Sequence, residues 1–569
     1  MNHVGSGLAR ACIVSALLTI ASACSGGDDE PTVTPPPDVA RDQHLRVWLQ
    51  YAPGSFDPHL ATFAEDISVM NQMFRGLLWY DEDLNIVPMA AKDVPSVKNG
   101  GISSDGLVYR FELRDGLKWS DGQPLTAMDF EYSFKRLLDP AIGASYASFY
   151  FDITGAEAYN TASPESGGAT LAGLREEVGV KAMGASTLIF TLKSPRATFL
   201  HLMTFSAAGP VRQDVIEEFG GEWTAPLNFV GSGPFVLSEV SESELVLVPN
   251  RNWWSEEPRL GRLTFRIIED PVEAFNAYLA GELDYVGVPP SQEYVALVDA
   301  DPQLKRQNQT LSQLASFALI FNNTVPPFDR PEVREAFSLA IDREAIIAAF
   351  VPNGAVAGSS WIPPGMPGYD GKSGTRWKLD PERARKVLAE AGFENGKGIP
   401  RIVFFHTDGQ TPLAQTLQSQ IKEHLGIQVD LQLVDASVSR EKQLSGDFQI
   451  ASYGWFADYL EPDSFLGEPF GCQRYEGGVC MAYANGNDAH YANPEFDRLL
   501  QQAGKEFDRG RRLKLYEEAQ DVLIEDAPAI FLGHVVRNVL IKPYVRGGTH
   551  TALDTIPFQF FLDRVYINR

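Results

Sequence analysis

The most chemically pointed stretch of the 569-residue sequence is Trp455-Phe456-Ala457-Asp458-Tyr459-Leu460-Glu461-Pro462-Asp463-Ser464-Phe465-Leu466. An apolar run ends there in two large aromatics, and an acid follows. In a low-dielectric crevice such a carboxylate is a strong partner for a cation. By residue type alone, Asp458 would serve equally as a helix cap or a surface acid. Motifs for catalysis are missing: there is no G-x-S-x-G elbow, no Walker A loop, no complete G-x-G-x-x-G and no H-E-x-x-H. Gly231-Ser232-Gly233-Pro234 lacks a third Gly or a Lys and reads as a tight turn into a strand rather than a phosphate cradle. The nine His are scattered, and the 74 acidic residues do not reveal which of them adjoin. These absences weaken an enzyme reading, although a carboxylate pair brought together by the fold stays open.

Elements must hold Asp458 in place. The spacing predicts an α/β series: strand 401–406, helix 412–425 closed by Gly426, strand 427–434, helix 437–444 and strand 448–453. Strands separated by helices pair in parallel through right-handed crossovers, and ligands sit where the carboxyl ends of such strands open onto a crevice. Gly454, Trp455, Phe456, Ala457 and Asp458 are then expected to line that crevice. Upstream, 329–350 sets Val333, Phe337, Ala340 and Ile341 on one helical face behind Pro331. Asp380-Pro381 opens another helix carrying Ala384, Val387, Leu388 and Ala391. Nearer the N-terminus, Tyr109, Phe111 and Leu113 alternate with polar residues, as do Leu188, Phe190 and Leu192, which is strand spacing.

With 44% hydrophobic and 21% charged residues, the chain has enough apolar material for more than one core. A net charge of -26 repels phosphate backbones, so nucleic acid is excluded as a partner class. Positions 1–23 carry Arg10, an apolar run from Ala11 to Ile20 and the small residues Ala21-Ser22-Ala23, too short a run to span a bilayer. Because Cys24 follows directly, the segment resembles a bacterial lipoprotein signal, which implies lipidation at Cys24; Ala21 stands where Leu is usual. The run 24–42, rich in Pro, Gly and acid, is expected to be a disordered tether. No second linker of that kind follows. In the oxidising compartment that an exported chain occupies, Cys472 and Cys480 are expected to form a disulfide across a Gly-rich loop. A zinc site lacks the ligand spacing, with only His490 beyond the pair.

Several segments, in this order, resemble the periplasmic oligopeptide-binding proteins, extracytoplasmic solute-binding family 5, the receptors of ABC peptide importers. They are Phe56-Asp57-Pro58-His59, Arg75-Gly76-Leu77-Leu78, the run from Phe111 to Gly122, and Gly231-Ser232-Gly233-Pro234-Phe235. Further on come Ala280-Gly281-Glu282-Leu283-Asp284, Phe321-Asn322-Asn323, Ala340-Ile341-Asp342-Arg343, and Tyr491-Ala492-Asn493-Pro494-Glu495-Phe496-Asp497. The resemblance implies an α/β, two-lobed flytrap fold of the periplasmic-binding-protein type, with an additional domain inserted in the first lobe. Lobe I would take 43–74, 213–314 and 537–569, the extra domain 75–212, and lobe II 315–536.

It also implies that Asp458 pairs with the α-ammonium of a peptide, that Tyr146 lies near that amine, and that Trp455 walls a side-chain pocket. The main chain of Thr62, Phe63 and Ala64 and of Gly454 to Phe456 would pair with an extended ligand. Two departures stand out. Ala315 and Phe456 occupy the positions of a disulfide in other members, and Ser452 stands where some members place an Arg for the peptide carboxylate. The implied protein is a monomeric, lipid-anchored receptor of the bacterial cell envelope, periplasmic or extracytoplasmic. It has no cofactor and no catalytic role, and it captures short peptides for a membrane permease. A same-fold receptor for a nickel chelate, an oligosaccharide or an opine is the nearer alternative, and an extracytoplasmic hydrolase the remoter one.

Overall fold

The computed structural model describes residues 42–163, 168–289, 291–369, 371–484 and 486–569. The expected signal segment, Cys24 and all of the tether but Asp42 lie outside the described residues. Leu45, Val47 and Leu49 alternate inward along the strand His44–Leu49, which belongs to an eleven-stranded mixed sheet. From one edge the strands run Val429–Leu433, Ile402–His406, Ile450–Phe456, Asn308–Phe321, Ala529–Ile541, Tyr285–Gly287, His44–Leu49, Arg262–Ile267, Glu244–Pro249 and Phe235–Val240. The eleventh, Ala355–Ala357, pairs beside Tyr285–Gly287 on the same edge of Ala529–Ile541.

Two long strands join the halves of this sheet. Asn308–Phe321 and Ala529–Ile541 pair antiparallel along most of their length, with register shifts between Ser312 and Ser316 and between Phe317 and Ala318. Each half has its own apolar cluster: Trp361, Phe404, Phe465 and Phe531 fill one, Val47, Phe235, Phe265 and Leu562 the other. A separate three-stranded sheet, Val108–Glu112 with Thr187–Thr191 and Val180–Ala182, buries Tyr109, Phe111, Leu188 and Phe190 as their alternation predicts. Its cluster also takes in Tyr459 from the other half of the chain. The fold is thus α/β, two-lobed, with an additional domain. Gly233 shows why the Gly231-Ser232-Gly233-Pro234 turn needs small residues, since a Cβ there would lie 2.5 Å from the Met73 carbonyl carbon.

The α/β series is present, with strands Ile402–His406, Val429–Leu433 and Ile450–Phe456 and helices Thr411–Leu425 and Ala436–Ser445. Both pairings of Ile402–His406 are parallel. Two expectations need correction. The third strand does not stop at Tyr453 but runs to Phe456, because Ala315, Ser316 and Phe317 pair with Phe456, Trp455 and Gly454. Nor is 329–350 one helix: Pro331–Leu339 ends, and Arg343–Phe350 starts anew, because the Asp342 carboxylate accepts the Ala345 N–H at 3.0 Å as an N-cap.

Beneath the third strand, fully buried Trp361 packs on Tyr453, Phe465, Phe470 and Phe531, and its Nε1–H donates to the Phe465 carbonyl at 2.5 Å. Trp361→Ala should therefore lower stability by about 3–5 kcal/mol, read from the denaturant midpoint, as large-to-small changes in cores do.

Candidate functional site

The loop leading to Thr62 is fixed from behind. Asp57 takes the Arg136 guanidinium in a fork, with Nη1 to Oδ1 at 3.2 Å and Nη2 to Oδ2 at 2.6 Å, and its carbonyl accepts the N–H groups of Leu60 and Ala61. Buried His59 is pushed down to about 4 by desolvation, so its neutral Nδ1 accepts from Arg136 at 2.7 Å. Past this knot, the N–H groups of Thr62 and Phe63 donate to Asp66 at 3.3 and 3.4 Å, and the helix Ala64–Met73 begins. The Thr62 carbonyl points the other way and accepts the Tyr146 hydroxyl at 3.4 Å.

Tyr146 stands on the short helical segment Ser145–Tyr150, its ring edge-on to Phe149 and Phe205. Burial, followed by the negative charges of Asp458 and Asp66, raises the pKa of its hydroxyl, which stays protonated. Asp458 lies just past the end of Ile450–Phe456, with its backbone N–H on Ser464 Oγ at 3.1 Å. Desolvation pushes its carboxyl up to about 7, and the charge of Glu468 adds to the rise. Among the described residues no cation pairs with it. The structure thus joins Tyr146 to the Thr62 carbonyl and sets its hydroxyl within reach of the Asp458 charge.

The strand before Asp458 has a free side. Ala457 N–H donates to the Leu314 carbonyl, so odd-numbered residues face the Asn308–Phe321 strand and the backbone groups of Ser452, Gly454 and Phe456 face away. On that outer side Ile402–His406 pairs only at Ile450, and Gln443 Nε2 donates to the Ser452 carbonyl at 3.0 Å. Phe63 and Phe456 are exposed. Trp455 stacks on Tyr453 and covers Gly486, where a Cβ would come within 2.7 Å of its ring; its buried Nε1–H has no partner among the described residues. Ala315 and Phe456 are direct register partners, and Cys472 and Cys480 are joined in a disulfide across the hairpin of Cys472–Glu476 and Val479–Tyr483.

A buried network that sequence reasoning missed anchors the chain three residues on. Glu461 Oε1 accepts Arg512 Nη2 at 2.6 Å and Nε at 3.1 Å, with His201 Nε2 at 3.4 Å. His201 Nδ1 bonds the Tyr80 hydroxyl, which also accepts the Leu460 N–H. Burial alone would raise the Glu461 carboxyl, but His201 and Arg512 overcome it and hold it below its ordinary value.

A cavity of about 430 Å³ opens nearby, walled by Trp48, Tyr285, Val536 and Ile556 with Glu65 and Arg537. None of Tyr146, Gly454, Trp455, Phe456 and Asp458 lies on its wall; Glu65, three residues past Thr62, links it to them. Nothing in the sequence signals Arg537 or Glu65, because segments near positions 48, 287, 353 and 537 assemble this wall only in three dimensions.

Residues 85–477 match the model of bacterial extracellular solute-binding proteins, family 5. The chain is 30% identical over 530 residues to the periplasmic oligopeptide-binding protein OppA of Salmonella typhimurium, covering 90% of this chain and 89% of that one. It is 30% identical over 516 residues to the periplasmic murein peptide-binding protein MppA of Escherichia coli, covering 90% and 91%. The solved structure of MppA, a periplasmic murein tripeptide-binding protein, in its unliganded open form superposes with a TM-score of 0.76 at 28% identity, over 93% of this chain and 98% of that one.

A carboxyl whose pKa the fold raises costs stability once ionised: the unfolded chain releases this proton near pH 4, the folded one near 7, so stability falls across that window and then levels. Asp458→Asn should therefore raise the thermal midpoint of the unliganded protein at pH 8. The gain should fade as the pH is lowered from 7 towards 4 in a differential scanning series.

Proposed function

Because the chain belongs to the bacterial extracellular solute-binding proteins of family 5, receptors rather than enzymes, we propose that it captures short peptides by their free amino terminus and hands them to the permease of an ABC importer. The observation that carries this reading is Asp458, an enclosed carboxyl with no cation beside it among the described residues, whose charge reaches the Tyr146 hydroxyl that bonds the Thr62 carbonyl. An α-ammonium has three N–H donors, and this corner offers three kinds of oxygen acceptor. The backbone groups of Gly454 and Phe456, unpaired among the described residues, support main-chain pairing of an extended ligand, which ignores side-chain identity and so admits many sequences.

In this reading 43–74, 213–314 and 537–569 form lobe I, 75–212 the extra domain and 315–536 lobe II, with the strands Asn308–Phe321 and Ala529–Ile541 as the hinge. The peptide shifts the population towards the closed form by binding it more tightly. The tether and a lipid on Cys24 would hold this monomeric receptor at the membrane. Closure buries the ammonium against Asp458, and a charge-assisted bond there contributes roughly 1.5–3 kcal/mol.

Calorimetry with tripeptides tests this. N-terminal acetylation, or Asp458→Asn with free peptide, should weaken binding by about ten- to a hundredfold. Equal affinity for free and acetylated peptides would end the role of Asp458, and failure of every peptide to bind would point to another solute. Binding needs the carboxyl ionised, whereas the free protein holds it protonated below about 7, so affinity should fall by up to about tenfold per pH unit below that value. Asp458→Asn should flatten that slope.

A further inference from the structure

The corner that holds Asp458 has a second acid in it. Asp458 N–H donates to Ser464 Oγ at 3.1 Å, which ties the strand end to the first turn of the helix Asp463–Phe470. Glu468 stands four residues past Ser464 on that helix, on the same face and one turn, about 5.4 Å, along. Side chains on a helix lean back towards its N-terminus, which sets the Glu468 carboxyl towards the turn that holds Asp458. Both acids are half-buried. Burial comes first for each neighbour, but the charge of Glu468 adds to the rise of the Asp458 carboxyl and of the Tyr453 and Tyr459 hydroxyls.

The wall beside these acids is aromatic. Trp455 and Tyr453 stack with their ring planes 18° apart, and Glu468 meets Trp455 across one glycine: a Cβ on Gly486 would lie 2.7 Å from the Trp455 ring and 3.0 Å from the Glu468 carbonyl oxygen. A carboxylate next to an aromatic face suits a desolvated ammonium or guanidinium. No internal cation takes that place. Arg196, whose charge tempers the rise that burial gives the Glu468 carboxyl, is committed elsewhere: its Nη1 donates to Asp152 at 2.6 Å and to the Phe149 carbonyl at 3.1 Å, and its Nε to Thr198 Oγ at 3.2 Å. Among the described residues the Glu468 carboxylate makes no ion pair and no hydrogen bond.

Two unpartnered carboxyls a helical turn apart set a charge requirement. A peptide with a neutral first side chain brings one ammonium, which satisfies Asp458 and leaves Glu468 as a half-buried charge without a partner. A cationic first side chain brings a second positive group on the same residue, and the flexible four-carbon stem of lysine is long enough to cross the turn between the acids. We propose that Glu468 makes this site selective for peptides whose first residue is Lys or Arg, taking the side-chain cation against the Trp455 wall while Asp458 holds the α-ammonium. The proposal rests on the peptide reading above and adds to it a preference at the first position, with later positions left to main-chain pairing.

Calorimetry at pH 8 with Lys-Ala-Ala, norleucine-Ala-Ala and Nα-acetyl-Lys-Ala-Ala separates the two readings, because norleucine keeps the stem of lysine without its charge. Wild type should bind the lysyl peptide about tenfold or more tighter than the norleucyl one, and Glu468→Gln should shrink that ratio to within about twofold of one. Glu468→Asp, which keeps the charge on a shorter stem, should retain part of the preference. In Asp458→Asn both free peptides should weaken while their ratio persists. Equal affinity of the wild type for lysyl and norleucyl peptides overturns the proposal, as does a ratio that survives in a Glu468→Gln protein whose thermal midpoint shows it folded. If Nα-acetylation proves harmless while loss of the side-chain charge matters, the reading of Asp458 falls and that of Glu468 stands. No binding by any of the three peptides overturns both.

Discussion

The antiparallel ladder between Asn308–Phe321 and Ala529–Ile541 is the constraint on which the rest of the molecule hangs. On one side it carries the α/β series, on the other the strands that begin with His44–Leu49, so the sheet continues through the place where two separate apolar cores meet. Hydrogen bonds fix the two strands to each other, yet the register slips at Ser312 to Ser316 and again beside Phe317. Bulges concentrate twist and bending. A joint made this way keeps its partners while letting the planes on either side change angle. The same ladder sets the cavity, since the outer edge of Ala529–Ile541 is too long for either of the short strands that pair with it.

Two acids three positions apart show how surroundings assign roles. Glu461 is almost wholly buried, and its carboxylate is held ionised by Arg512 and His201. It fixes the chain. Asp458 is less buried by surface but enclosed, has Glu468 rather than a cation nearby, and keeps its proton up to about neutral pH. The first acid has spent its charge on structure; the second holds an unsatisfied demand that only an incoming cation meets. Burying a charge without a partner is costly, so such a group persists where the fold over-determines it. Here the Trp361 cluster beneath and the Glu461 network beyond do so.

Much of this was legible in the sequence, and for specific reasons. Alternation at Tyr109, Phe111, Leu188 and Phe190 marked strands whose inward residues are fully buried. The helix closed by Gly426 was readable because a glycine in the left-handed region ends it. The family-like motifs turn out to be joints: Asp57 and His59 grip Arg136, Asp284 accepts Arg46 and Tyr544, and Asp497 holds Cys472 and Tyr475. What stayed hidden depends on contacts between distant segments. The extension of the third strand to Phe456 follows from its partner rather than its own residues, and the break at Asp342 needed the cap to be seen. Arg537, Glu65 and Glu468 carry no local pattern at all.

The outward backbone groups of Gly454 and Phe456 bring a hazard along with their use. A row of N–H and C=O groups left unpaired among the described residues, beside an exposed Phe, is also a template for a second copy of the chain, the starting point of edge-to-edge aggregation. This edge is kept short, with Gln443 blocking one carbonyl at Ser452 and the strand ending at Phe456. A stretch that brief can hold a guest of a few residues but gives an unfolded neighbour little to grow from, so guarding against self-assembly and admitting small cargo are one and the same length restriction.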